Sequence, residues 1–149
     1  MTGLPTRRRR DENGSAVVEF VMLGVVLLLP LVYLVLMLGR VQAGAYAVSQ
    51  ASREAGRAYV TTDAGQDANG RARAAARISF LDQHVEDTGR LTIACDGTPC
   101  LRADGRVETT ATVQVPLPFV PAFLGDVLPL SVPVSASHVS TVDRFRVLP

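Results

Sequence analysis

Phe20-Val-Met-Leu-Gly-Val-Val-Leu-Leu-Leu-Pro-Leu-Val-Tyr-Leu-Val-Leu-Met-Leu-Gly39 is the stretch on which the architecture of this chain turns. It carries no charged side chain, and as a helix rising about 1.5 Å per residue it measures about 30 Å, the thickness of a bilayer's hydrocarbon core. Fourteen of its positions are Leu, Val or Phe. At about −0.3 to −0.6 kcal/mol each, they favour insertion by on the order of 6 kcal/mol. Pro30 falls in the middle. An interior proline costs a helix in water about 3 kcal/mol, but in a membrane the freed backbone groups are satisfied locally or by neighbours, so a kink is expected there and not a break. The stretch reads as a transmembrane helix.

Its flanks set the orientation. Arg7, Arg8, Arg9 and Arg10 stand ahead of it, whereas only Arg40 and Arg53 follow closely behind. Orientation follows Lys and Arg, with Asp and Glu counting for little, so Asp11 and Glu12 do not offset the run. The leader is expected on the cytoplasmic side and everything after about Arg40 outside. The rival reading of the arginine run is an anionic-lipid or nucleic-acid patch. A formal net charge of +1 over 149 residues provides no global field to gather nucleic acid, and no nucleic-acid partner is expected. A secretory signal is the other competitor, because Ala43-Gly44-Ala45 and Ala45-Tyr46-Ala47 offer small-residue cleavage sites beyond the apolar run. Signal cores run about 7 to 15 residues, and this one is nearer a full span.

Composition closes several enzyme classes. All 15 basic residues are arginine, so Schiff-base chemistry and a phosphate-loop lysine are excluded. Two cysteines, Cys95 and Cys100, and two histidines, His84 and His138, are too few and too scattered for a four-ligand zinc site. The chain has no nucleophile elbow, no metalloprotease helix motif and no Gly-rich phosphate loop. No enzymatic activity, metal or cofactor is expected.

Directly before the apolar run stands Gly14-Ser15-Ala16-Val17-Val18-Glu19-Phe20, which places a carboxylate at a depth where charge is expensive. This heptapeptide resembles the prepilin-peptidase recognition motif of type IV and Flp/Tad pilins: a glycine, a cut, four mostly apolar residues, then glutamate and an aromatic. From Gly14 to about Arg57, with its Leu-Leu-Leu-Pro centre, Gly39-Arg40 and Ala51-Ser52-Arg53-Glu54-Ala55-Gly56-Arg57-Ala58, the chain is similar to the TadE-like pseudopilin family. The resemblance implies removal of residues 1–14 at the cytoplasmic face by a membrane aspartic peptidase. It further implies a minor pilin of a Flp/Tad-type pilus or related secretion apparatus. The partners implied are prepilin peptidase, other pilins or pseudopilins, pilus assembly platform proteins and membrane lipid. Major Flp pilins are far shorter and usually carry tyrosine after the glutamate, whereas this chain has Phe20 and a large outer portion, which fits the minor class better.

Cleavage would leave an amine on Ser15 one helical turn from Glu19, near a helix start that favours a negative side chain. The carboxylate can then pair with that amine or with the amine of a neighbouring chain in a dry assembly; the second is favoured because a buried pair fixes register and because the family uses it so. Otherwise Glu19 sits in water at the headgroup level. The helix is expected to continue outward to about residue 60. Gly39, Ala43, Ala47, Ala51 and Ala55 recur every four residues, a ladder that either lets another helix approach closely or is simply an alanine-rich surface.

Residues 61–149 are expected to form an extracytoplasmic α+β head of pilin-like type. Thr61-Thr62-Asp63-Ala64-Gly65 breaks the first helix, and Asp63 can cap a second whose apolar positions Ala74, Ile78, Leu81 and Val85 keep helical spacing. Arg71, Arg73, Arg77, Asp82, Glu86 and Asp87 belong to its wet side, and His84 to its surface. Period-two alternation then marks three strands: Leu91 and Ile93; Val107, Thr109, Ala111, Val113 and Val115; and Leu130, Val132, Val134 and Ala136. Pro133 on the opposite face of the last suggests an edge or a bulge. The small antiparallel sheet needs a helical cover for its apolar face. Cys95 and Cys100 flank the turn-forming Asp96-Gly97-Thr98-Pro99 on the oxidising side of the membrane, so a disulfide holding a hairpin tip is expected. The Pro-rich apolar segment from Pro116 to Pro129 either folds back through Phe119, Phe123, Leu124 and Leu128 as core or presents a docking patch. Two other functions stay open: an unprocessed single-pass membrane protein with an outer binding domain, and a secreted domain released by signal peptidase near Ala45 or Ala47.

Overall fold

The computed structural model describes residues 13–63, 65–85, 89–117 and 131–145. Two helices, α1 (Asn13–Val60) and α2 (Ala68–Asp82), precede three strands, β1 (Arg90–Cys95), β2 (Arg106–Pro116) and β3 (Ser131–Thr141). The strands form one antiparallel sheet in the order β1-β2-β3. This is the α+β, pilin-like arrangement expected. The chain divides into two compact units between Leu36 and Met37, so the expected segment 15–60 is shared between them.

The first unit is helical, and α1 runs unbroken through Pro30. From Ala16 to Leu36 no side chain is buried, and Leu27, Leu29 and Met22 are each about two-thirds exposed. The helix is long and apolar enough to cross a membrane. So much uncovered apolar surface is compatible with a hydrocarbon surrounding.

In the second unit the part of α1 from Met37 onward is covered by the sheet. Gly44, Ala47, Val48, Ala51, Ser52, Ala55, Gly56 and Tyr59 are all buried, steps of three and four that keep one helical face inward. Against it stands β2, whose Val107, Thr109, Ala111, Val113 and Val115 are buried while Arg106, Glu108, Gln114 and Pro116 face out. Thr109 is the polar exception in this layer. Its hydroxyl donates to the Ser52 carbonyl at 2.7 Å, with the His138 carbonyl also within reach at 3.1 Å. At the end of helix α1 the Thr61 and Thr62 hydroxyls turn back onto the Arg57 and Ala58 carbonyls, and the Thr62 hydroxyl thereby satisfies a terminal acceptor.

Two expectations for α2 are corrected. Its N-cap is Asp67, not Asp63: the Asp67 carboxylate accepts from the Gly70 N–H at 2.9 Å. The chain is still turning at Gly65, where φ is +81°, a conformation no helix interior accepts, so the cap falls to the next aspartate. The buried face also differs. Ala68, Ala72, Ala76, Ser79 and Phe80 are inside, whereas Ala74 is exposed, Ile78 is 61% exposed and Leu81 44%. A stripe of alanines lets the helix sit close, and Phe80 then supplies the bulk that Ile78, Leu81 and Val85 were expected to supply. Gly89 permits this, since a Cβ there would stand 2.5 Å from the Phe80 ring. Val85 lies beyond the helix end, half-buried against the core.

The strands follow the expected alternation. Pro133 sits in β3, an edge strand, opposite Gln114. Strand β3 also continues past Ala136 to Thr141. Leu130, Glu86, Asp87 and the apolar segment with Phe119, Phe123, Leu124 and Leu128 lie outside the described residues.

Candidate functional site

Three groups of residues carry the functional expectations, and they lie in different places. The first is the processing motif. Gly14 and Ser15 fall within the opening turns of α1, and Glu19 and Phe20 are exposed on it, Phe20 at 78%. Arg7, Arg8, Arg9 and Arg10 lie outside the described residues. A helical backbone through Gly14 and Ser15 means that a chain beginning at Ser15 would start in helix, with Glu19 one turn further on.

The second group is the small-residue ladder, and the fold divides it. Gly39 is exposed and Ala43 half-buried, but Ala47, Ala51 and Ala55 are fully buried within their own chain. They belong to the core that α1 shares with α2 and the sheet, so these three offer no surface to a foreign helix. Side chains four apart drift about 40° around the helix, and the core takes up the ladder where the drift brings it inward. Two residues outside the ladder matter more for close approach. A Cβ on Gly44 would stand 2.5 Å from Val115 Cγ2, and one on Gly56 would collide with Ser140 Oγ and stand 3.0 Å from Thr109 Oγ1. The signal was available: both glycines lie on the i, i+3, i+4 stripe shared with Val48, Ser52 and Tyr59.

The third group is the tip that joins β1 to β2. Cys95 and Cys100 form a disulfide with their Cα atoms 5.4 Å apart. Cys100 is not on the returning strand, because β2 starts only at Arg106. The bridge therefore closes just the first half of the connection. Asp96 fastens the second half: its carboxylate accepts from the Arg106 N–H at 3.0 Å and from the Arg102 guanidinium at 2.9 Å. The Arg106 N–H holds the Asp96 carboxyl below the usual carboxylate range; desolvation opposes it to a lesser degree, and the Arg102 guanidinium adds a further lowering. Gly105 then accepts from the Val142 N–H at 2.8 Å, tying the tip to the chain just beyond β3. Spacing pointed to the cysteines but could not reveal Asp96 as the fastening, because its partners lie six and ten residues away.

Among the described residues, no three His, Cys, Asp or Glu side chains come together as a metal site would require. His84 is exposed at the end of α2 with φ of +56°, and His138 is exposed on β3. No protein-family model, curated protein or solved structure matches this chain.

Proposed function

We propose that this protein is a membrane-anchored minor pseudopilin of TadE-like type, cut after Gly14 by a prepilin peptidase and incorporated into a Flp/Tad-type pilus or related secretion apparatus. The observation that carries the reading is the heptapeptide Gly14-Ser15-Ala16-Val17-Val18-Glu19-Phe20 standing at the head of a 48-residue helix whose first half keeps its apolar surface uncovered. The cut removes the basic leader and spares the anchor. The apolar surface from Val17 to Leu38 then serves lipid or neighbouring helices, while the head stays outside the membrane. Arg7 to Arg10 ahead of the span support that orientation. Glu19 pairs with the new amine of an adjacent subunit, since a carboxylate so near hydrocarbon needs a cation. The head works by presenting a surface, not by catalysis.

Intact mass of the protein purified with and without the cognate peptidase tests this. A chain beginning at Ser15 only when the peptidase is present is the expected result. The full-length mass would favour an unprocessed single-pass protein, and loss of the entire apolar stretch would favour a secreted domain. In the processed protein, Glu19→Ala should abolish co-purification with other pilus subunits. If that substitution left both processing and co-purification unchanged, Glu19 would have no pairing role.

A further inference from the structure

Between α2 and the start of β1 lies a groove of about 500 Å³ whose walls carry Arg73, Arg77 and Arg90. We propose that it binds a phosphate-type oxyanion. At about 100° per residue, Arg73 and Arg77 lie side by side on the flank of α2, at the border between its buried stripe and solvent. Arg90 comes from the opposite wall, as the first residue of β1. Three cations from two elements thus line one cavity. No guanidinium of the three has a hydrogen-bond or ion-pair partner among the described residues, as is also true of Arg40, Arg53, Arg57 and Arg106; what sets these three apart is that they line one groove. Like charges one turn apart on a helix repel, and an anion between them relieves that repulsion.

The lining is suited to a charged head on a less polar body. Phe80 and Leu91 provide apolar wall, Phe80 being 4% exposed, and Thr92 adds a hydroxyl. Gly89 brings the backbone against the Phe80 ring, and both line the groove. A carboxylate has two oxygens and one charge, too few for three guanidinium forks. A phosphate monoester presents three terminal oxygens and nearly two charges at neutral pH, which is the better match in donors and in charge. Such a group comes either as the free ion or as the phosphate of a larger molecule such as a lipid or polymer headgroup; the groove's chemistry is common to both.

Calorimetric titration of the full chain in neutral detergent tests the site, with inorganic phosphate, glycerol 1-phosphate and acetate as probes. Saturable one-to-one binding of a phosphate probe is expected, weakened at least about tenfold in R90Q and in the double variant R73Q/R77Q. R71Q, on the other flank of α2, should leave it unchanged. All of these arginines are exposed, so glutamine keeps the fold, which circular dichroism verifies. Tighter binding of glycerol 1-phosphate would assign the headgroup source, and tighter binding of inorganic phosphate the free ion. The proposal is overturned if neither phosphate probe saturates, if acetate binds as tightly, or if the arginine variants bind like the parent. It does not depend on where the chain is cut, so its outcome and the mass measurement are independent.

Discussion

Gly44→Ala and Gly39→Ala are the same chemical change at two places on one helix, and the fold requires them to behave differently. At Gly44 the new methyl would stand 2.5 Å from Val115 Cγ2 and 3.6 Å from Val113 Cγ2. Both valines are buried, Val113 completely and Val115 to within 2%, and their branched side chains have few rotamers to retreat into. Something must shift, and overpacking of this kind costs about 1–3 kcal/mol. At Gly39 a methyl would meet nothing within 4 Å. Each substitution also gains about 1 kcal/mol of helix propensity, which cancels when the two variants are compared. Gly44→Ala should therefore be less stable than Gly39→Ala by about 1–3 kcal/mol. Urea titration of the full chain in neutral micelles, followed by tyrosine emission, measures the difference. Tyr59 at 5% exposure reports the head, whereas Tyr46 is 70% exposed already. If the two unfolding free energies agree to within about 0.5 kcal/mol, the helix does not lie against β2 at this glycine and the close-packing argument fails.

The same titration separates the two faces of α2. Phe80→Ala should cost about 3–5 kcal/mol and Ile78→Ala less than about 0.5, and the reverse order would restore the face expected from apolar spacing. Breaking the disulfide with Cys95→Ser and Cys100→Ser should cost about 2 kcal/mol by loop-closure entropy for so short a ring. A thiol assay of the denatured, nonreduced parent should find no free thiol; two would refute the bridge. Because the folded Asp96 carboxyl lies below its ordinary range, its tie adds stability above the ordinary aspartate pKa and loses it as pH falls through the folded value. Asp96→Asn should flatten the acid limb of a stability profile taken from neutral pH down to about pH 2; an unchanged limb would remove Asp96 as its source.

Much of the architecture was legible in the linear chain because its signals are local. An uncharged run of bilayer length needs no knowledge of neighbours to be recognised, and neither does the alternation of β2, where Val107, Thr109, Ala111, Val113 and Val115 face the core as their spacing requires. Pro133 announces an edge because a missing donor is a property of the residue itself. Where two candidate faces competed, the reading failed. In α2, hydrophobicity favoured Ile78 and Leu81, but the fold buries Ala68, Ala72, Ala76 and Phe80.

That choice could not be made within α2, since a helix shows several possible faces and the one buried is the one whose shape fits the surface it meets. Closeness of approach rewarded small residues there and left larger apolar ones in solvent. The alanine ladder of α1 met the same decision: its composition marks a place where something can come close, and only the folded core establishes that Ala47, Ala51 and Ala55 are covered by their own chain. The arginine groove is the clearest instance, because Arg73, Arg77 and Arg90 converge only once α2 and β1 are neighbours. Periodicity and apolar length are carried along the backbone, whereas the occupant of a face and the meeting of distant charges depend on what folding brings beside them.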